Sequence, residues 1–143
     1  RMLAASLMAS ADNGHAIHPN HPEKADKTNY PVMNGGVVIK YSANQKYTTD
    51  AVSAGLFKAI CAGAGVPVQT FINRSDVLGG STLGNISGSH VALNTVDIGL
   101  AQMAMHSPYE TGGNRDTLHL LNAIKALYAA QLRCTADGDY EVN

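Results

Sequence analysis

Ala4-Ala5-Ser6-Leu7-Met8-Ala9-Ser10-Ala11-Asp12-Asn13-Gly14-His15-Ala16-Ile17-His18-Pro19-Asn20 decides the reading of this chain, because a short uncharged run ends on an acid and two imidazoles. A run of that length and composition predicts a strand buried on both faces, with Asp12 at its carboxyl end. In open α/β sheets that edge is where ligands bind. Carboxylate oxygen and imidazole nitrogen both suit zinc, and a cation removes the desolvation cost of a lone buried carboxylate. The competing reading of Asp12 is an ordinary helix or turn cap.

Outward from this strand the chain alternates. His18 to Asn34 carries Pro19, Pro22 and Pro31 among several charges and reads as a long loop. Val37 to Ser42 predicts a strand, and Thr48-Thr49-Asp50 caps a helix running to about Cys61, stopped by Gly63-Ala64-Gly65. Val68 to Asn73 is the next strand. Gly79 to Val91 opens on two glycines and continues as a helix, and Thr95 to Leu100 is a strand. Asp116 to Leu132 reads as an amphipathic closing helix with Leu118, Leu121, Ile124, Ala126 and Leu127 inward. Strands separated by helices predict an α/β fold, a mixed sheet flanked by helices on both faces. Residues 135–143 form a polar tail, expected to be mobile.

Composition narrows the function classes. The chain has 143 residues, 45% of them hydrophobic and 15% charged, with a formal net charge of −1, which is enough chain for one core. Its ten Lys and Arg are scattered rather than gathered into a stripe, so neither nucleic acid nor an anionic membrane is expected as a partner. The early apolar stretch is too short to span a bilayer and lacks the basic flank of a leader. Cys61 and Cys134 are isolated in sequence, which suits neither a zinc knuckle nor a disulfide framework and fits a reducing, cytoplasmic compartment.

A second apolar run reaches a histidine at Val96-Asp97-Ile98-Gly99-Leu100-Ala101-Gln102-Met103-Ala104-Met105-His106-Ser107. Together with Asn34-Gly35-Gly36-Val37-Val38-Ile39-Lys40 and Gly79-Gly80-Ser81-Thr82-Leu83-Gly84, these segments resemble the aspartyl aminopeptidase family of dinuclear zinc exopeptidases, in order from about Ser10 to about Leu127. The resemblance implies the C-terminal part of a zinc exopeptidase catalytic domain, here residues 1–134. It makes Asp12 the carboxylate ligand of one zinc and His106 the histidine ligand of the other. The family's remaining ligands and its catalytic glutamate correspond to sequence upstream of this chain, which opens on Arg1, so no catalytic residue proper is assigned here. The bland reading of His106 is a hydrogen-bonded core histidine.

The resemblance assigns further roles. Lys40 faces the pocket for the first substrate side chain, with Tyr47 of the Gln-x-Tyr-x-Thr segment nearby, where an ammonium would pair with an aspartyl or glutamyl group. A solvated lysine at a strand end is the alternative. Gly80 and Ser81 line the floor of the site, where small residues permit close approach of substrate; the glycine cluster lacks the lysine of a phosphate-binding loop, so no nucleotide site is expected. His15 and His18 are not ligands in the family pattern and are expected to orient the loop, donate a hydrogen bond to a metal ligand or contact a neighbouring subunit, with an ordinary hydrogen-bonded histidine as the alternative. His21, His90 and His119 are expected to be ordinary. This chain has Leu78-Gly79 where many relatives have Pro-Cys, and Ser107-Pro108-Tyr109-Glu110 where many have Ser-Ile-Arg-Glu.

The activity implied is removal of N-terminal residues, including acidic ones, from peptides by a water activated between two zinc ions. Relatives assemble as dodecameric tetrahedral shells, so a homo-oligomer is implied. Two rivals stand beside this reading: a catalytically incomplete module that binds peptides, and a related metallohydrolase acting on acylated amino acids.

Overall fold

The computed structural model describes residues 2–136 and 139–143; Arg1, and Asp137 and Gly138 within the expected tail, lie outside the described residues. After a 3-10 turn at Leu3–Ala5 come β1 (Leu7–Ala11) and β2 (Gly14–His15). A long loop with one 3-10 turn at Pro22–Lys24 leads to β3 (Val37–Tyr41), α1 (Ala51–Gly63) and β4 (Val68–Ile72). The remainder is α2 (Leu83–His90), β5 (Asn94–Gly99), β6 (Ala101–Met103), β7 (Thr111–Gly112), α3 (Asp116–Ala129), β8 (Leu132–Ala136) and β9 (Asp139–Val142). The main sheet has the order β1-β5-β3-β4, with β1 parallel to β5, β3 parallel to β4, and β3 antiparallel to β5. The predicted mixed sheet is therefore present.

Period-two alternation along the strands gives this sheet two unlike faces. Val37, Ile39, Val96 and Ile98 point to one side, where they pack with Ala54, Phe57 and Cys61 of α1 and Ala123 of α3. Fully burying one such side chain contributes roughly 1.5–3 kcal/mol. Val38 points to the other side, into a smaller cluster with Tyr47, Phe71 and Ala101. Carrying the β3–β5 register one pair beyond Ile39 opposite Ile98 sets Lys40 opposite Asp97 on this second face. Here α2 covers the sheet, so closely at Gly84 that an added Cβ would lie 2.8 Å from the Asp97 carboxylate and 3.0 Å from Ser10 Cβ. Helices thus flank both faces, and the charged side chains occupy only one.

The helix start at Asp50 follows local chemistry. Asp50 Oδ1 accepts from the Ser53 amide at 2.7 Å while Ser53 Oγ accepts from the Asp50 amide at 3.0 Å, a reciprocal cap on two N–H groups that the helix leaves unpaired.

Three expectations change. The strand expected to be buried on both faces, β1, is half-buried, because it is the edge of the main sheet and has β5 as its single neighbour among the described residues. The closing helix ends at Ala129, and Leu118 and Leu121 are 58% and 48% exposed. Its inward stripe is Asp116, Leu120, Ala123 and Ile124, and Leu118 lies about 200° round the axis from Asp116. The rotation is fixed by Asp116, whose buried carboxylate accepts from the Asn34 amide at 2.6 Å and the Gly36 amide at 3.0 Å. Finally, the stretch expected to be mobile contributes to an antiparallel ribbon of β8 and β9, which Tyr140 ties to the main sheet by accepting from Asn94 Nδ2 at 2.8 Å.

Candidate metal and substrate site

Two parallel strand pairs run on from one another beneath the site. β1 and β5 end together, and β2 and β6 resume the same pairing after a short break. The amides of Asp12, Gly14 and Ala16 donate to the carbonyls of Ile98, Leu100 and Gln102, each at 2.9 Å, so the ladder never loses register. The break brings backbones unusually close: a Cβ on Gly99 would lie 1.8 Å from the Asp12 carbonyl oxygen. Asn13 locks the turn, its Oδ1 accepting from the Leu100 amide at 3.1 Å and its Nδ2 donating to Gln102 Oε1 at 2.9 Å. Asp12 therefore leaves the strand end on a backbone held at both sides, with its carboxylate 62% exposed.

Lys40 is not the solvated strand-end lysine of the alternative reading. Its side chain is 1% exposed, and its Nζ lies 3.5 Å from Asp12 Oδ2, 3.4 Å from the Asn13 carbonyl and 5.0 Å from the centre of the Tyr47 ring. Burial lowers the pKa of this ammonium, and the negative charges of Asp12 and Asp97 oppose the shift. Tyr47 is buried against Phe71, and its hydroxyl accepts from Asn73 Nδ2 at 3.3 Å. Asp12, Lys40 and Tyr47 are thus one contiguous group.

Ser81 shares a cleft with Asp12. With Asp12, Ser10, Thr82 and Ile86 it lines an open cleft of about 600 Å³ between β1 and α2. Gly80 is exposed, with open space where a Cβ would stand, and the preceding Gly79 carbonyl accepts from Lys46 Nζ at 2.9 Å.

His106 is exposed and follows β6 by three residues. It has φ +67°, and Ala104 has φ +54°, two left-handed residues that turn the chain sharply. Its amide donates to Glu110 Oε1 at 2.7 Å. A non-glycine residue in this region stores strain of order 1–3 kcal/mol, which the surroundings must hold in place. His106 is accordingly not a packed core histidine.

His15 and His18 go elsewhere. They line a cavity of about 280 Å³ together with His21, Tyr30, Phe71 and Met103, and the rings of His18 and His21 lie 5.4 Å apart. His21, expected to be ordinary, is part of this wall, whereas His90 ends α2 in an exposed position and His119 is half-buried on α3.

Among the described residues no three His, Cys, Asp or Glu side chains converge as a metal-holding group. Asp12 at the end of β1 and His106 three residues beyond β6 offer an exposed carboxylate and an exposed imidazole, donors suited to zinc, and two such ligands need partners from another segment to make a site.

Two buried acids were not found by sequence reasoning. Asp97 is fully buried and accepts from the Thr48 amide at 2.6 Å, Thr48 Oγ1 at 2.9 Å and Thr82 Oγ1 at 2.6 Å, while its own amide donates to Thr49 Oγ1 at 2.8 Å. Asp116 anchors the turn before β3. An acid inside the apolar run Val96-Asp97-Ile98 was the available signal for the first; the second had none beyond an acid in a helix's first turn.

Known proteins share this architecture. The profile of the "Aminopeptidase I zinc metalloprotease (M18)" family matches residues 1–128. A "Probable M18 family aminopeptidase 2" of Pseudomonas savastanoi pv. phaseolicola is 48% identical over 130 residues, covering 91% of this chain and 30% of the relative. A chain in the cryo-EM structure of the Ape4 and Nbr1 complex superposes with a TM-score of 0.86 at 35% identity, covering 88% of this chain and 24% of that one. The crystal structure of yeast aminopeptidase 1 gives 0.79 at 29% identity, covering 89% of this chain and 28% of the other. The chain therefore spans about 30% of the length of the curated relatives it matches. A match over 128 of its 143 residues places this chain in the M18 family of zinc metalloproteases.

Proposed function

We propose that this chain supplies one wall of the active site of a two-zinc aminopeptidase that removes N-terminal residues, acidic ones among them, from peptides. The observation that carries this reading is the pair Asp12 and His106, delivered by two parallel strands whose ladder runs unbroken through Ala16. Asp12 would hold one metal ion through its exposed carboxylate and His106 the other through its imidazole, with the remaining ligands from other parts of the polypeptide. When bound, such a pair of ions binds the free amine, polarises the scissile carbonyl and acidifies a water between them.

The chain's own residues would position the peptide. Ser81 borders the cleft that Asp12 enters, and the open space at the preceding Gly80 would leave room for substrate backbone. Lys40 is already paired with Asp12; once that carboxylate is engaged by a cation, the buried ammonium favours a second anion, such as an aspartyl or glutamyl side chain beside Tyr47. His15 and His18 shape the adjoining loop. A relative has been solved as a dodecamer, "S. cerevesiae mApe1", and the same reading takes the polypeptide containing this chain to be a homo-oligomer. Among the described residues no helix is long and apolar enough to cross a membrane, and Cys61 and Cys134 are both unpaired, which supports a cytoplasmic location.

The test is hydrolysis of matched peptides with free and acetylated N-termini by the complete polypeptide. Cleavage confined to the free amine and abolished by a chelator is expected; cleavage of the acetylated peptide would favour the amidohydrolase, and no cleavage of either the binding module. In the same assay Lys40→Leu should lower the ratio of acidic to neutral turnover about tenfold or more, the worth of one charge-assisted contact. An unchanged ratio removes Lys40 from specificity.

A further inference from the structure

Thr48 and Thr82 belong to different loops, one between β3 and α1 and one leading into α2, and both close on the carboxylate of Asp97. The first loop also carries Tyr47, which covers Lys40, and the second carries Ser81, which borders the cleft. Asp97 does not itself line that cleft. It lies beneath it, fully buried, opposite Lys40 on the same sheet face, with Gly84 so close that α2 has no other seat. A buried carboxylate is tolerated only when its oxygens are satisfied, and here three donors from two loops satisfy them.

The geometry points to Asp97 as the positioning residue of the cleft: through Thr48 and Thr82 it fixes the loop that carries Tyr47 over Lys40 relative to the Ser81 wall of the cleft, and so controls how substrate is seated. The inference rests on the reading of this cleft as the substrate site. It assigns to Asp97 no contact with substrate or metal. Each oxygen faces a hydroxyl donor, and one of them a backbone amide as well, so changing a single donor lets the carboxylate turn and loosens both loops at once.

Thr82→Val keeps the shape of the side chain and removes its donor, Thr82→Ser keeps the donor, and Asp97→Asn leaves one acceptor oxygen where there were two, so the side chain no longer accepts from both threonine hydroxyls at once. In this chain, exchange of the Thr48 amide should be slow in the unaltered protein and in Thr82→Ser, and about tenfold or more faster in Thr82→Val and Asp97→Asn. In the complete polypeptide, Thr82→Val should raise KM for peptide about three- to tenfold with kcat within about twofold and bound zinc unchanged. Thr82→Ser should recover most of the KM that Thr82→Val loses, and Thr48→Val, at a residue outside the cleft lining, should raise KM as Thr82→Val does. Unchanged KM in Thr82→Val, with only a lower melting temperature, would reduce Asp97 to a structural anchor and overturn the inference. Should Asp97→Asn fail to fold, Thr82→Val still decides. If the unaltered polypeptide cleaves no peptide, the aminopeptidase reading is what has failed, and the Thr48 exchange rates alone judge whether Asp97 holds the two loops together.

Discussion

Asp12→Ala in the complete polypeptide is expected to remove about one zinc equivalent and to lower kcat/KM at least ~10³-fold, since a metal-held water and a polarised carbonyl together contribute several kcal/mol to the transition state. The fold should survive. The Asp12 side chain is 62% exposed, and the contact that holds its backbone, the amide donated to Ile98, does not involve the carboxylate. One neighbour does respond: the charge of Asp12 partly offsets the burial of Lys40, so its loss moves the Lys40 pKa further down. Metal content by elemental analysis, circular dichroism and turnover on one sample separate these effects. Zinc and activity equal to those of the unaltered enzyme would remove Asp12 from the site. The same measurement applies to His106→Ala.

Gly99→Ala is expected to be the most destabilising single-methyl change in the chain. The added carbon would lie 1.8 Å from the Asp12 carbonyl and 3.0 Å from Asn13 Cα, both backbone atoms that no rotamer change can move aside. Relief requires parting the two strands where the ladder passes from Ile98 to Leu100, which breaks hydrogen bonds as well as packing. Overpacking costs typically 1–3 kcal/mol where side chains can adjust, and about 3 kcal/mol or more is expected here. Against a total of roughly 5–15 kcal/mol for a domain, that is a large share. Urea unfolding of the unaltered and Gly99→Ala proteins measures it, and midpoints within experimental error would show that the strands separate without cost. The substitution also displaces the residue that precedes Asn13, so zinc affinity should fall even where the protein stays folded.

The parts of this molecule legible in its sequence are those decided by neighbours along the chain. Val37 to Ile39 is an apolar run of β-branched residues, and Asp50 caps α1 through a residue three positions on. The charged end of β1 could be read because an uncharged run stopping at Asp12 is a local event. What escaped was decided by distant groups. The rotation of α3 follows from Asp116 reaching Asn34 and Gly36, separations of 82 and 80 residues, and this outweighed the pattern of leucines that made Leu118 and Leu121 look internal. Lys40 reads as a strand-end charge until the register with β5 and the turn at Asn13 enclose it. Asp97 was quoted as part of an apolar run, yet its partners Thr48 and Thr82 stand 49 and 15 residues away. Sequence located the strands that carry the candidate site, and long-range hydrogen bonds between acids and backbone shaped their surroundings.

The edge position of β1 has a practical consequence for anyone handling this chain. Because Asp12 donates to Ile98, the alternate residues Leu7, Ala9 and Ala11 turn their amides and carbonyls away from β5. The strand carries no charge and no proline to discourage pairing, and exposed Leu83, Ile86 and Tyr128 stand near it on α2 and α3. Such a border is a template on which a second copy is expected to pair. Folding and association then share one equilibrium, so the melting temperature of the 143-residue chain depends on how much of it is in the tube.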